Sequence, residues 1–330
     1  MLFRSRLREG LAYYRDGKPR RALDSLARAL ALDEQLADAH YVAAMCHRDL
    51  GNIAEAIAAL KKATTYAPGA VTAREELADL YRTTGQRAAE LEQLQVLAGL
   101  DGGRVERRIA IGLAHARGGH PDLAVLTLAS ALEQFPSHPL VYSALGRIWL
   151  DIARAHPDRT DALGKALEAL ERASASPTAS SEVKTWYGEA LIRDGQLDAA
   201  EHILQQATER LPTEPAAYAL YAQIAEQLRH APQALTALLS YQALVGDDPA
   251  ADARALKLGQ LSLQVDDPAG AIPWLNRAIA ADTRNLTALA ALADAYQQLG
   301  YVDDARAIVV RGLAIDPANR TLLALSRRLR

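Results

Sequence analysis

The chain has 330 residues, a formal net charge of −3 and an aromatic content of 5%. This slightly acidic balance argues against a protein whose main ligand is nucleic acid, since such proteins usually carry a strong excess of Lys and Arg. The single cysteine, Cys46, excludes a disulfide framework or a cysteine-based zinc site within one chain. We interpret it as a small buried residue of a helix rather than as a reactive thiol.

The N-terminal segment MLFRSRLREGLAYYRDG is charged throughout and lacks the continuous apolar core of a signal peptide. No stretch approaches the roughly 18 apolar residues that a membrane helix needs. The sequence therefore favours a cytoplasmic protein, and a signal peptide removed earlier would favour the periplasm instead. Many alanines and far more Arg than Lys are typical of a GC-rich bacterial source.

Residues 3–36 are predicted to form two helices with a turn at Gly17, and residues 37–70 repeat that pair most clearly. Gly51 supplies a residue that adopts the left-handed conformation at the end of the first helix. The second helix ends before Pro68, which cannot continue it. A pair this short cannot bury its apolar face alone, so a neighbouring pair is expected on each side.

The same pattern of turn glycines, small second-helix residues and closing prolines returns at a regular spacing along the whole chain. The register slips twice, by eight residues in the fifth repeat and by three before the eighth. The predicted repeats are 3–36, 37–70, 71–104, 105–138, 139–180, 181–214, 215–251, 252–285 and 286–319, followed by a capping helix at 320–330.

A 34-residue helix-turn-helix period resembles the tetratricopeptide repeat family, and the resemblance covers essentially the whole chain. It implies an all-α fold, a right-handed α-solenoid or superhelix of antiparallel helix pairs. It also implies a single domain over residues 1–330, because a solenoid grows linearly without one central core.

Three positions depart from the repeat pattern. Glu90 stands where a small residue is expected, which predicts a loosely packed second helix in the third repeat. Arg229 replaces the turn glycine of the seventh repeat. The eight additional residues around HPDRTDALG, 156–164, predict a longer loop between the helices of the fifth repeat. That loop is interpreted either as a tolerated surface insertion or as a contact with a partner.

No constellation of catalytic residues emerges from the sequence. A phosphate-binding glycine loop, a GxSxG elbow and an HExxH motif are all missing. His40 and His47 lie two helical turns apart at packing positions, too far apart for an i,i+4 metal pair. The sequence therefore predicts a protein that is not an enzyme and that uses no cofactor or metal.

In this family the first helix of each repeat lines a concave surface, and the resemblance places the partner-binding side chains there. The predicted partner-binding residues are Leu7, Leu11, Tyr14, Tyr41, Met45, Arg48, Glu75, Glu76, Asp79, Arg82, Ile109, Leu113, Arg147, Trp186 and Glu189. Further predicted groove positions are Arg117, Ser143, Thr185, Gln223, Glu226, Leu256, Gln260 and Asp294.

Two groups of these residues suggest what a ligand would offer. An exposed apolar patch is predicted near the N-terminal end, formed by Leu7, Leu11, Tyr41 and Met45. An acidic stripe beside it would favour a basic segment in the partner, and consists of Glu75, Glu76 and Asp79. Alternatively, the apolar patch packs on a neighbouring protomer of a homo-oligomer or on an N-terminal extension.

These observations favour a non-enzymatic adaptor that holds a segment of a partner protein, with apolar and basic residues, in its concave groove. The alternative hypothesis is a regulatory or targeting part of a larger enzyme, or of a secretion or assembly complex. A nucleic-acid partner and membrane insertion of the chain are not expected.

Overall fold

The computed structural model describes residues 2–246, 248 and 250–329, and within these residues the regular structure is helical, without a strand. The helices follow one another through short turns. They are α1 Leu2–Arg15, α2 Pro19–Leu30, α3 Ala37–Asp49, α4 Ile53–Tyr66, α5 Val71–Thr83, α6 Arg87–Leu100, α7 Val105–Arg117, α8 Pro121–Gln134, α9 Pro139–Ala155, α10 Thr160–Ser174, α11 Ser181–Arg193, α12 Leu197–Thr208, α13 Pro215–Gln227, α14 Ala231–Val245, α15 Ala251–Gln264, α16 Pro268–Ala281, α17 Leu286–Gln298, α18 Val302–Ile315 and α19 Arg320–Arg328.

The chain divides into two compact units, Met1–Arg159 with α1 to α9 and Thr160–Arg330 with α10 to α19. Within each unit every helix packs on the next, and the closest associations are between the two helices of one pair. First helices of successive pairs also touch, as α7 touches α9 and α15 touches α17. The predicted all-α fold of the tetratricopeptide repeat type, built from consecutive helix pairs, is confirmed. A single domain over residues 1–330 stays a prediction.

A turn glycine in the left-handed conformation reverses the chain between the helices of most pairs. Gly51 has a φ of 78°, and the backbone N–H of Asn52 donates to the carbonyl of His47 over 2.8 Å. This arrangement satisfies carbonyls at the end of α3 that would otherwise lack a partner. A side chain is strained at such a φ, which explains why glycine returns at this point of the repeat.

Arg229 occupies the turn between α13 and α14 with a φ of 62°, the conformation that glycine adopts elsewhere. A non-glycine residue in this region costs about 1–3 kcal/mol of backbone strain, which glycine would relieve. The greater backbone entropy of glycine in the unfolded chain offsets part of that relief. We therefore expect Arg229→Gly to raise the free energy of unfolding of the second unit by about 1 kcal/mol, measured by urea denaturation. The reciprocal change Gly195→Arg, at a φ of 82°, serves as the control and should be destabilising. A loss of stability in Arg229→Gly would contradict the account.

The two helices of several pairs approach closely where a glycine of the first faces a leucine of the second. A Cβ atom added at Gly188 in α11 would lie 2.5 Å from Cγ of Leu204 in α12. A Cβ at Gly259 would lie 2.6 Å from Cγ of Leu275. The core of each pair is thus one side chain thick, and the leucine needs a small partner to reach the opposite helix.

The long loop predicted in the fifth repeat is wrong. Helix α9 runs for 17 residues, and only residues 156–159 separate it from α10. The apolar face of α9 continues through Ile148 and Ile152, both buried, so one more helical turn is stabilised by packing. The additional residues therefore extend helices rather than a loop.

The C-terminal helix α19 packs against α17 and α18 through buried Leu322 and Leu325, at the position predicted for a capping helix. The guanidinium of Arg306 donates to the carbonyl of Leu329 over 2.6 and 2.8 Å, which satisfies a terminal carbonyl of that helix. Arg330 lies outside the described residues. So do Asp247 and Pro249 of the three-residue insertion before the eighth repeat.

Candidate functional site

Two adjoining cavities of the first unit lie on predicted groove helices. The Glu90 cavity, of about 310 Å³, is formed by α5, α6 and α7. Its lining consists of Glu75, Ala78, Asp79, Arg82, Glu90, Leu94, Leu97, Arg107, Ala110, Leu113 and Arg117. The Ile152 cavity, of about 420 Å³, is formed mainly by α7 and α9. Its lining consists of Leu113, Ala116, Arg117, Gly119, Pro121, Arg147, Ile148, Asp151, Ile152, Ala155 and His156.

Leu113 and Arg117 belong to both linings, so the two cavities adjoin along α7. Both residues lie on α7, four positions apart and hence one helical turn apart on the same face. Leu113 is half-buried and presents an apolar wall on either side. We call the combined surface the α7 groove.

The charged side chains of the Glu90 cavity are joined in ion pairs. Glu90 is 3% exposed, and its carboxylate accepts a hydrogen bond from the guanidinium of Arg117. Arg107, which is also buried, donates to Glu75 over 2.5 Å. Glu90 is tolerated inside the fold because its carboxylate is satisfied by an arginine of the following pair rather than repelled from the core. The loose packing predicted for the second helix of the third repeat stays a prediction.

The Ile152 cavity combines an apolar floor with a polar rim. Leu113, Ile148 and Ile152 supply the floor, while Arg147, Asp151 and His156 lie at the rim. Asp151 accepts from Arg154 of the same helix over 2.5 Å. Such a cavity suits an apolar side chain of a ligand, whose neighbouring polar groups would lie at the rim.

The predicted apolar patch is only partly exposed. Leu7, Leu11 and Tyr41 are half-buried and pack on the core of the first two repeats. Met45 is 3% exposed and belongs to a core cluster with Leu77, so its predicted position on an exposed edge is wrong. The cause is the packing of α5 on this part of the α3–α4 pair, which covers the thioether.

Tyr14 and Tyr41 are half-buried neighbours of the same charged network. Burial raises the pKa of the Tyr41 phenol, and the nearby Glu76 carboxylate raises it further. Burial likewise raises the pKa of Tyr14, with Asp49 as the next cause. Both phenols therefore stay neutral near pH 7 and act as hydrogen-bonding groups rather than as charges.

The predicted acidic stripe is not a bare anionic surface. Glu76 accepts from Arg48 over 2.5 Å, and Asp79 pairs with Arg82 on the same helix. Glu75 is held by Arg107. Because an arginine neutralises each carboxylate, the charge expected to attract a basic partner segment is largely cancelled, and that expectation is corrected.

The structure brings some of the predicted residues together in the α7 groove and leaves others apart. Those that line it are Glu75, Asp79, Arg82, Leu113, Arg117 and Arg147. Ile109 is half-buried on α7 outside both linings. Trp186 and Glu189 belong to α11 of the second unit, where both are half-buried and Glu189 accepts from Arg193 over 3.1 Å.

Besides Glu90, Ile148 and several small or apolar lining residues, sequence reasoning missed Arg107, Asp151, Ile152 and His156 as groove residues. The last three lie on the additional turn of α9 or just after it, in a segment that the sequence assigned partly to a loop. The apolar spacing of Ile148 and Ile152 is the signal that would have indicated the longer helix. Arg107 carries no such signal, since surface arginines are common at that point of a helix.

Cys46 and His40 occupy buried packing positions, as interpreted from the sequence. Cys46 is fully buried, and burial raises the pKa of its thiol to about 11. His40 donates from Nε2 to the carbonyl of Glu34 over 2.9 Å and stacks on Tyr66. Among the described residues, no group of three or more His, Cys, Asp or Glu side chains is placed to hold a metal ion.

None of the helices that the structure describes is both long and apolar enough to cross a membrane.

Family models match several parts of the chain. Models described as tetratricopeptide repeat match residues 47–104, 161–224 and 262–329, which together make up more than half of the sequence. A model of subunit 3 of the anaphase-promoting complex, or cyclosome, matches residues 5–63. No match is found among curated proteins.

Two solved structures with TM-scores above 0.5 show the same fold at low sequence identity, and a third is similar over most of this chain. A tetratricopeptide repeat protein from Parabacteroides merdae is 13% identical with a TM-score of 0.53, over 75% of this chain and 94% of that one. The human IFIT1 dimer with m7Gppp-AAAA is 16% identical with a TM-score of 0.52, over 92% of this chain and 68% of that one. The structure of Naa15/Naa10 bound to HypK-THB is 16% identical with a TM-score of 0.45, and the match covers 97% of this chain but spans only 59% of that one.

The recurring helix pairs, the turn glycines and the matches to three segments lead to one conclusion: the chain belongs to the tetratricopeptide repeat family.

Proposed function

We propose that the protein is a non-enzymatic scaffold that holds a segment of a partner protein in the α7 groove. Tetratricopeptide repeat folds generally serve as interaction scaffolds. The observation that carries the proposal is the pair of adjoining cavities, because two pockets that meet along α7 suit successive anchor side chains of one segment.

The chemistry of the groove favours a mixed rather than a strongly charged ligand. Its arginines and carboxylates compensate each other, so the groove offers hydrogen-bonding groups in fixed positions without a large net field. The apolar floor of the Ile152 cavity supplies the area whose burial would provide most of the affinity. The best fit is a segment with an apolar anchor flanked by polar groups of either sign.

Filling the Ile152 cavity tests this proposal. Ala155 is exposed and lines the cavity, so Ala155→Trp should occupy it with little effect on stability. We expect recovery of a co-purified partner to fall about tenfold or more, the size typical of losing one interface anchor. The readout is quantitative mass spectrometry after capture from the native host, with circular dichroism to verify the fold.

The matched control is Ala129→Trp, which adds the same side chain at an exposed site of α8 outside both linings. It should leave partner recovery unchanged. Equal losses in both variants, or none in Ala155→Trp, would place the partner elsewhere on the molecule.

The second candidate is a subunit that targets or regulates a larger enzyme or assembly. The match of residues 5–63 to a model of an anaphase-promoting complex subunit favours this reading. Native gel filtration of host extract discriminates the two candidates. Co-migration with an enzymatic activity that is lost on depletion of the chain supports the second, and elution with a single small partner supports the first.

The cytoplasmic location remains a prediction, which fractionation of host cells tests.

A further inference from the structure

Helix α14 of the second unit combines an uncharged sequence with little burial. Among the helices in the part of the chain that the structure describes, it is the one without a charged side chain. Of its 15 residues, only Ala234 and Ala237 are buried. In the preceding pair Leu204 is fully buried, whereas Leu238, at the same point of its repeat, stays half-buried. An apolar helix with so little cover from its own chain is typical of an element that packs on a further surface.

The exposed residues of α14 lie on one face of the helix. Pro232, Thr236, Leu239 and Ala243 are all exposed and fall within about 60° of one another, since successive residues are about 100° apart. Leu244 adjoins this stripe and is 54% exposed, and Leu239 is 38% exposed. We call these five residues the α14 face.

The hydroxyl groups along this face are satisfied by the helix itself. The hydroxyl of Thr236 donates to the carbonyl of Pro232 over 2.9 Å, and the hydroxyl of Ser240 donates to the carbonyl of Thr236 over 2.9 Å. Because each hydroxyl proton is used within the helix, neither donor would lose a partner if another surface covered the face. Covering it therefore removes apolar area from water at little cost in lost hydrogen bonds.

A positive charge lies just before the start of α14. Arg229, in the turn that precedes the helix, is exposed, and within the described residues its guanidinium takes part in no ion pair or hydrogen bond. Glu201 also lies on this side, but its carboxylate is held by His230 over 2.8 Å and is only 17% exposed. The accessible charge at this end of the helix is therefore positive.

Negative charges follow the end of α14. Asp248 pairs with Arg254 over 2.8 Å, and Asp252 pairs with Arg277 over 3.1 Å. In both pairs the carboxylate is the more exposed partner, with 33% against 11% in the first and 56% against 32% in the second. The accessible charge at this end is therefore negative, in the same sense as the dipole of the helix.

We propose that the α14 face is the contact between two copies of this chain, packed helix on helix about a two-fold axis perpendicular to α14. That axis makes the two helices antiparallel, so Arg229 of one copy approaches Asp248 and Asp252 of the other and the helix dipoles are aligned favourably. A two-fold axis parallel to the helices would instead place each end against its own copy, with like charges together.

The two-fold axis gives each residue of the face a defined neighbour in the other copy. The face is centred between Leu239 and Ser240, so each of these residues lies beside its own copy. Thr236 lies opposite Ala243 of the other copy. Because Thr236, Ser240 and Ala243 are small, the helices reach the usual separation of about 8–10 Å while the leucines fill the space beside them.

The chemistry of the face favours a second copy over other occupants. A strongly charged partner segment would find no opposite charge on the face, and an anionic bilayer would find no cation on α14 to hold its headgroups. An uncharged centre between ends of opposite sign is instead complementary to itself. A helix of 15 residues is about 22 Å long, so the interface is small and the association depends on concentration. It is independent of the α7 groove, which belongs to the first unit.

Sedimentation equilibrium of the full chain tests the association. We expect the mass to rise from 35.6 kDa towards twice that value as the concentration increases over roughly 1 to 300 μM. Leu239→Lys should raise the Kd of the dimer on the order of 100-fold, because the two-fold axis brings two ammonium groups together. The matched control is Leu126→Lys, at a leucine of α8 that is 65% exposed, and it should leave the Kd unchanged. Circular dichroism shows whether each variant is folded.

Disulfide trapping tests the direction of the two helices. Cys46 is fully buried, so a cysteine introduced on the α14 face supplies the accessible thiol. A mixture of chains with Thr236→Cys and chains with Ala243→Cys should form mixed disulfide dimers under mild oxidation, whereas each variant alone should stay unlinked. Ser130→Cys, on α8, is the control and should not form a dimer.

Three results would overturn the proposal. The first is a wild-type chain that stays monomeric over the whole concentration range. The second is an equal rise in Kd in Leu239→Lys and Leu126→Lys, which would place the contact elsewhere. The third is efficient linking of Thr236→Cys to itself without the mixed product, which would make the helices parallel and contradict the arrangement derived from the charges at the two ends.

Discussion

Replacing Arg117 with leucine is expected to lower the free energy of unfolding of the first unit by about 3 kcal/mol, because the Glu90 carboxylate is then buried without its cation. Removing one partner of a buried ion pair typically costs about 3–5 kcal/mol, and we take the low end since the Arg117 side chain is 43% exposed. Urea denaturation followed by circular dichroism measures the change. Hydrogen exchange of the α6 and α7 amides should show where it arises.

Two companion variants separate the charge from the packing. Glu90→Ala restores the small residue found at this point of the other repeats and should cost far less than Arg117→Leu, since no buried charge is left behind. The double variant should be closer to wild type than Arg117→Leu alone. If Arg117→Leu proves no worse than Glu90→Ala, the carboxylate is hydrated or protonated when unpaired, and the pair is not what holds α6 against α7.

Three ion pairs join successive helix pairs of the first unit. Arg48 of α3 reaches Glu76 of α5, Arg107 of α7 reaches Glu75 of α5, and Arg117 of α7 reaches Glu90 of α6. Each pair links residues 27 to 32 positions apart, close to one repeat length. The pairs therefore link each repeat to the next. The pairs of Glu75 and Glu90 also line the Glu90 cavity, so the wall of the groove and the inter-repeat contacts share side chains.

The helices of this protein were largely predictable because local signals agree with the tertiary fold. Turn glycines such as Gly51 and Gly119 lie a whole number of repeats apart and have the positive φ that the spacing indicated. Where the glycine is missing, at Arg229, the neighbouring repeats still impose the turn, and the arginine adopts the strained φ. Periodicity failed only at α9, since it indicates where a repeat slips but not whether helix or loop takes up the additional residues.

The site was less predictable than the fold, for reasons visible in particular residues. Register assigned Met45 to the groove face of α3, but the depth at which a side chain lies depends on the neighbouring pair that covers it. The charges of Glu75 and Glu76 were evident, whereas the arginines that pair with them lie in other repeats, nearly a full repeat length away along the chain. A repeat pattern thus predicts the face on which a residue lies, but not which distant side chain neutralises it.

Introducing leucine at Gly188 is expected to lower the free energy of unfolding of the second unit by about 3 kcal/mol, because overpacking at a helix crossing forces both helices or their rotamers to shift. Even a Cβ atom would lie 2.5 and 2.6 Å from Cγ and Cδ2 of Leu204, and leucine adds three more carbons. Urea denaturation and thermal melting of the variant give the change.

Gly188→Ala separates the crowding from the loss of glycine. Alanine occupies the corresponding position in other pairs, as Ala44 and Ala222 do, and it gains about 1 kcal/mol of helix propensity over glycine. Cγ of Leu204 would have to withdraw by roughly 1 Å to reach an ordinary contact distance, so Gly188→Ala should still be destabilising, but less so than leucine. Leu204→Ala alone would leave a cavity and cost about 2–5 kcal/mol. Combining it with Gly188→Leu should recover part of the loss, since the exchanged side chains keep the total volume between α11 and α12 nearly constant. The loss of stability in the double variant could instead equal the sum of the two single losses. In that case a leucine on α11 cannot replace the leucine on α12, and the direction of the Leu204 side chain matters as much as its volume.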